Sequence, residues 1–148
     1  MPNADILTNF TTAFYSKFTA LIATVHNDFY LAVGGRLYDD EAPEGAVMPF
    51  AVYSIVSAPK EKTFSEEYTN FLIQLSIFSS APSSSEIKLA YHYAHTLFDE
   101  QPLTITGSTL VWMRETNLAT MKVDYTTLAG ITKVRHYAID LEIMTSLD

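Results

Sequence analysis

Three side chains in the segment 86–100 have the types and spacing of metal ligands. His92 and His95 are three residues apart and Asp99 follows four residues later, so on a helix the three can share one face. Two imidazoles and a carboxylate can bind a transition metal. The alternative is that this face of the helix is exposed to solvent, opposite its apolar residues. Because no separate ligand cluster accompanies them, we favour the exposed alternative and predict neither a metal nor another cofactor.

Carboxylates cluster at two other places, without the pattern that calcium binding or catalysis requires. The segment 39–44 lacks the alternating ligand spacing and the terminal Glu of an EF-hand loop. Glu66 and Glu67 are adjacent, and adjacent side chains point apart in an extended chain. The sequence contains no nucleophile elbow, phosphate-binding glycine loop or dinucleotide fingerprint. We therefore predict no enzymatic activity and no catalytic residue.

The composition favours one cytoplasmic domain, residues 1–148, that associates with other proteins. Cysteine is absent, which excludes disulfides and cysteine-based metal sites. Charged residues are 18% of the chain, compared with about 25% in an average soluble domain, and surplus apolar area is often covered by another subunit. Nine basic and 17 acidic residues give a net charge of −8, which disfavours tight non-specific binding to nucleic acid. No apolar run approaches the length of a membrane span, and no leader is apparent.

Apolar residues at intervals of three and four predict two amphipathic helices. The first extends from Asp5 to Val25, and a further helical turn at 29–33 ends at the glycine pair Gly34–Gly35. The second helix extends from Glu86 to Glu100, after a break rich in Ser and Pro. These two helices must position the histidines and supply one layer of the core.

Apolar residues at every second position, and segments rich in β-branched and aromatic residues, predict the strands of an antiparallel or mixed sheet. The connection 58–69, between the second and third strands, is predicted to be a long, solvated hairpin arm. The segment 114–133 is either an extended hairpin arm or a mobile loop. The predicted strands are 36–38, 49–57, 70–79, 103–106, 109–113 and 137–143.

The order of these elements predicts an α+β fold, with the two main helices packed on one face of the sheet. Leu72 and Phe78 fall on the opposite phase of their strand from Phe71, Ile73, Leu75 and Ile77, and one phase of the strand 49–57 falls on the same face as they do. Apolar side chains on that face need a cover. A neighbouring copy of the same chain is the economical candidate.

Several of these segments, in this order, resemble the tail-completion family of long-tailed bacteriophages and prophages. Members of that family are tail terminators or head–tail joining proteins, which cap the tail tube and meet the head connector. The resemblance extends over nearly the whole chain, from the first helix to Ile143. The matching segments are Arg36–Pro43, Met48–Tyr53, Thr63–Glu66, the helix end Leu97–Asp99, Leu103–Ile105 and Tyr137–Leu141.

The resemblance implies a structural virion protein that assembles as a six-membered ring and has no enzymatic activity. It implies the tail tube protein and the head connector as partners, a location in the neck or tail of the virion, and a stage in the host cytoplasm before assembly. DNA would pass through the bore of the ring without specific binding, since carboxylates repel phosphate. The alternatives are another neck or tail-tube protein, and a small-ligand-binding domain that uses the histidine face.

We predict two sets of contact residues for such a subunit. The hairpin connection would contact the tail tube or a neighbouring subunit, and the charged residues at 36–40 would form ion pairs between subunits. The first set is Lys60, Lys62, Phe64, Glu66, Glu67 and Tyr68, and the second is Arg36, Asp39 and Asp40.

Overall fold

The computed structural model describes residues 6–127 and 130–148, which form helices on one side of a mixed sheet. The helices are α1 Ile6–Phe18, α2 Asp28–Ala32 and α3 Ser85–Phe98. The strands are β1 Leu21–Ile22, β2 Val25–His26, β3 Leu37–Asp39, β4 Phe50–Ser57, β5 Lys60–Lys62, β6 Glu67–Ser79, β7 Ser108–Thr127 and β8 Gly130–Leu147. The predicted α+β class is confirmed.

The main sheet has the strand order β3–β4–β6–β8–β7, and β5 pairs with the first residues of β6. Strands β3 and β4 are parallel, and the other neighbours in this sheet are antiparallel. The pairing of β6 with β8 extends from Tyr68 opposite Ser146 to Ser79 opposite Arg135. Strands β3 and β7 are therefore the two lateral edges of the main sheet.

Both main helices pack on the same face of the sheet, as the residue pattern predicts. The odd-numbered residues of β6 and the central part of β8 are buried against them. Phe10 of α1 stacks on Phe71 of β6 with ring centroids 4.4 Å apart, and Phe14 stacks on Phe98 of α3 at 4.5 Å. None of these four rings has exposed surface. This aromatic layer holds the helices to the sheet, because buried rings contribute more apolar area than any other side chains.

The first helix is shorter than its periodicity predicts. Its predicted start, Asp5, lies outside the described residues, and it ends at Phe18 rather than at Val25. The residues that follow form the small β1–β2 hairpin, whose apolar side chains are exposed. The buried Asn27 explains this end, because its Nδ2 donates to Phe18 O at 2.7 Å, where a helix carbonyl lacks a partner. Its Oδ1 accepts from Tyr30 N–H and so caps α2.

The helical turn predicted at 29–33 is present as α2, and the glycine pair ends it as predicted. Gly34 and Gly35 have φ angles of 60° and 73°, which favour glycine. A Cβ atom on Gly35 would lie 2.8 Å from the Tyr30 ring, so a larger residue does not fit there.

The predicted arm, 58–69, is not the longest hairpin in the structure. The connection 58–69 contains only the short β5 and a turn at 63–66 before β6 begins. The long hairpin is formed by β7 and β8, so a hairpin arm, rather than a mobile loop, is confirmed for the described residues of 114–133. The predicted strand 103–106 is wrong. Leu103 and Ile105 are buried from an irregular segment, so their alternation reflects core packing and not strand pairing.

Candidate assembly surfaces

The three candidate metal ligands on and just after α3 do not form one group. His95 and Asp99 lie close together, whereas His92 is exposed. His95 Nε2 lies 3.5 Å from Asp99 Oδ2, and His95 Nδ1 lies 3.1 Å from Oε1 of Glu115 on β7. His92 is exposed, and its ring centroid lies 5.8 Å from that of Tyr93. Among the residues that the structure describes, no group of three or more His, Asp or Glu side chains is arranged to hold a metal ion.

Glu115 joins this cluster to the sheet, and it lies in a segment whose sequence shows no clear periodicity. Its carboxylate accepts a hydrogen bond from Tyr91 Oη at 2.7 Å, and its N–H donates to Asp99 Oδ1 at 2.8 Å. Burial and the hydrogen bond to the Glu115 carboxylate raise the pKa of Tyr91 to about 12, so the phenol keeps its proton at neutral pH. The polar groups of this cluster form hydrogen bonds with one another, and these bonds hold the C-terminal end of α3 against β7.

The first set of predicted contact residues lies together at one end of the sheet. Lys60 and Lys62 are on β5, Phe64 and Glu66 are in the turn, and Glu67 and Tyr68 begin β6. Thr63 N–H donates to Glu66 O at 2.8 Å, and the Tyr68 hydroxyl donates to the Glu66 carboxylate. The Phe64 ring is fully exposed, at 113% of its reference area. A hydrogen-bonded turn that presents a bare aromatic ring is suited to contact another molecule.

The second set lies along the β3 edge of the sheet. Asp39 ends β3, and Asp40 follows with a φ angle of 71° and donates its N–H to Tyr53 O at 2.8 Å. Both carboxylates are exposed, and neither makes an ion pair within residues 6–127 and 130–148. Arg36 is half-buried, and its Nε donates to Pro49 O at 3.0 Å, so the side chain has a role in its own chain.

A row of aromatic rings crosses the sheet on the face opposite the helices. The ring centroids of Tyr38 and Phe50 are 5.9 Å apart, those of Phe50 and Phe78 are 5.0 Å apart, and those of Phe78 and His136 are 4.3 Å apart. Met121 of β7 lies opposite His136, so the row reaches both lateral edges. The sequence predicts Phe78 and one phase of the strand 49–57 on this face. The row itself could not be predicted, because it depends on the register of five strands. That a second copy covers this face stays a prediction.

The half-buried imidazole of His136 makes the stability of the fold sensitive to acid. Its Nε2 has no hydrogen-bond partner within the described residues, and burial lowers its pKa below the usual 6.5. A lowered pKa in the folded state means that stability is complete above 6.5 and is lost as the pH falls through the folded value.

We expect His136→Phe to reduce this acid sensitivity, because the ring still stacks on Phe78 and no longer titrates. The measurement is the Tm of both proteins at pH 8 and pH 5. The unmodified chain should lose more Tm between the two values than the variant does. Equal losses would contradict the assignment, and the values at pH 8, where the imidazole is neutral, serve as the reference.

The fold is similar to that of a chain found in a virion structure. It matches a chain of the structure described as "Virion of native gene transfer agent (GTA) particle", with a TM-score of 0.77. The match covers 97% of this chain and 98% of that chain at 12% sequence identity, so it is a likeness of fold. No curated protein sequence matches the chain.

The amino-acid sequence itself shows the family. The model of the family "Tail completion protein gp17" matches residues 19–145, and the chain belongs to this family. It is therefore a structural protein of a phage tail and a virion component that associates with other virion proteins. The resemblance inferred from the residues is confirmed. None of the helices in the described part of the chain has the length and apolar content needed to cross a bilayer.

Proposed function

We propose that the chain is one subunit of a six-membered ring that caps the tail tube and docks to the head connector. The observation that supports this proposal is the family match over residues 19–145. In this role the chain acts as a single domain without enzymatic activity. It is present in the host cytoplasm before assembly and in the neck or tail of the virion afterwards.

A ring placed between a tube and a connector needs two different ends, and the sheet provides them. The turn 63–66 lies at the end where Tyr68 pairs with Ser146. The tip of the β7–β8 hairpin lies beyond the opposite end, where Ser79 pairs with Arg135. Subunits arranged side by side with parallel axes would therefore present unlike surfaces above and below. We propose that the Phe64 turn contacts the tail tube or the adjacent subunit.

The charge of the chain suits a channel through which a genome passes. Nine basic and 17 acidic residues leave each subunit with a net charge of −8, which a ring of six copies multiplies. A bore with a negative potential repels the phosphate backbone and so disfavours adhesion of DNA. The proposal therefore includes passage of DNA without specific binding.

Particles that lack this protein provide the direct test. If the chain ends growth of the tube and joins it to the head, its deletion is expected to yield tails of uncontrolled length and separate heads. Electron micrographs of lysates, with the intact gene supplied from a plasmid as the control, distinguish the alternatives. Absent tails would instead identify a tube protein, and normal joined particles would contradict the proposal.

A further inference from the structure

The tip of the β7–β8 hairpin extends beyond the rest of the sheet. Strand β6 pairs with β8 only as far as Arg135, so no third strand of the described residues lies beside the strand pairs from Val123–Val134 to Thr127–Gly130. Five such pairs reach about 17 Å at the usual rise per residue. A two-stranded hairpin is only marginally stable alone in water. This extension therefore gains most from contact with another molecule. Together with the pair Lys122–Arg135 at its base, which lies beside Ser79 of β6, we call it the distal arm (residues 122–127 and 130–135).

The distal arm carries a positive charge in an acidic protein. It contains three basic residues and one acidic residue, whereas the whole chain has nine and 17. Lys122 is opposite Arg135 and Asp124 is opposite Lys133, so the four side chains share one face of the hairpin. Arg135 donates to Ala81 O at 2.8 Å and is thereby engaged in its own chain. Lys122 and Lys133 are exposed and make no ion pair in the described part of the chain.

The loop after β3 carries the opposite charge. Asp39, Asp40, Glu41 and Glu44 are all exposed, and no Lys or Arg occurs between Arg36 and Lys60. We call residues 39–44 the acidic loop. The hydrogen bond from Asp40 N–H to Tyr53 O holds the start of this loop against β4. The loop is therefore a defined acidic surface at a fixed position on the sheet.

The two surfaces belong to opposite lateral edges of one sheet. The acidic loop continues the edge strand β3, and the distal arm continues the other edge strand, β7. Three strands separate them, so they cannot meet within one chain. When two copies stand side by side, the β7 edge of one faces the β3 edge of the next. Asp39 is level with Ile139, whereas Lys122 is level with Arg135, about 13 Å further along the strands, so the contact requires strands that are tilted from the ring axis. Such head-to-tail contacts between unlike surfaces generate a ring when the rotation between copies closes.

We propose that Lys122 and Lys133 of one copy contact the acidic loop of the adjacent copy. This inference rests on the proposed ring and specifies the residues that join its subunits. Complementary charge at such a contact fixes the partner and the register, whereas like charges oppose association. The contact also covers part of the distal arm, most of which no third strand of the described residues flanks.

Charge reversal on each side tests the contact. The arm variant is Lys122→Glu with Lys133→Glu, and the loop variant is Asp40→Lys with Glu44→Lys. Each is expected to weaken ring formation at least about tenfold, since each places like charges against each other. An equimolar mixture of the two variants should restore association, and so should one chain that carries all four changes. Oligomer mass in solution and on purified tail tubes is the measurement, with Lys88→Glu on the exposed side of α3 as a control that leaves rings intact.

The outcomes separate this inference from the proposed function. If the unmodified chain forms no ring either alone or on tail tubes, both the ring and this contact are overturned. If the unmodified chain forms rings and the arm and loop variants do so equally well, only the contact is wrong. Loss of rings that neither the mixture nor the combined variant restores also overturns the contact, because it points to damage rather than to charge.

Discussion

Replacing Phe14 by Ala is expected to lower the free energy of unfolding by about 3–5 kcal/mol, the usual range for a buried Phe. Domains of this kind have a total stability of about 5–15 kcal/mol, so the change removes a large part of it. The ring of Phe14 has no exposed surface. It stacks on Phe98 at 4.5 Å and lies 4.8 Å from the Tyr53 ring, which places it between α1, α3 and β4. A cavity there removes packing contacts between these three elements.

Thermal and denaturant unfolding measure this loss. The expected decrease in Tm is about 6–20 °C for a chain of this size. Phe64→Ala is the matched control, since it removes the same atoms from a fully exposed position. A Phe14 variant that unfolds at the temperature of the Phe64 variant would show that the aromatic layer does not hold the helices to the sheet.

Replacing Phe64 by Ala is expected to impair the joining of heads to tails while the fold stays intact. Surface changes of this kind usually alter stability by no more than about 0.5 kcal/mol. A buried aromatic anchor at an interface contributes about 2 kcal/mol or more, which corresponds to a roughly 30-fold weaker contact. The Phe64 ring has no cover in its own chain, so any stabilisation that it provides must come from a partner.

The measurement is binding of the variant to purified tail tubes, together with the yield of joined particles. Phe64→Tyr keeps the ring and should retain most of the binding, which makes it the conservative control. Unchanged tube binding, unchanged ring formation and unchanged particle yield for Phe64→Ala would contradict the assignment of this turn as a contact surface. The circular dichroism spectra and Tm of all three proteins should agree.

The sequence alone determined the elements whose periodicity reflects burial. Phe71, Ile73, Leu75 and Ile77 alternate because one face of β6 is covered by helices, and the structure buries all four side chains. The apolar stripe of α3 and the glycine pair after α2 were recognised for the same reason, since burial and positive φ angles restrict residue types locally. The family was also recognised from the order of such segments.

The secondary-structure predictions were wrong where contacts with other segments override the local apolar pattern. The apolar spacing continues from α1 to Val25, but the side chain of Asn27 ends the helix at Phe18. Leu103 and Ile105 alternate like a strand, yet they contact the core from an irregular segment. The weak pattern of 114–133 follows from exposure, because most of its described residues face solvent and no buried face imposes a period.

Only the tertiary structure decided which residues lie together on the surface. The spacing of His92, His95 and Asp99 suggested a site, but His95 also pairs with Glu115, twenty positions away on strand β7. The aromatic row depends on the register of five strands. The position of the acidic loop and the distal arm on opposite edges depends on strand order. Local sequence carries periodicity, whereas these relations arise from pairing between distant segments, which no single segment encodes.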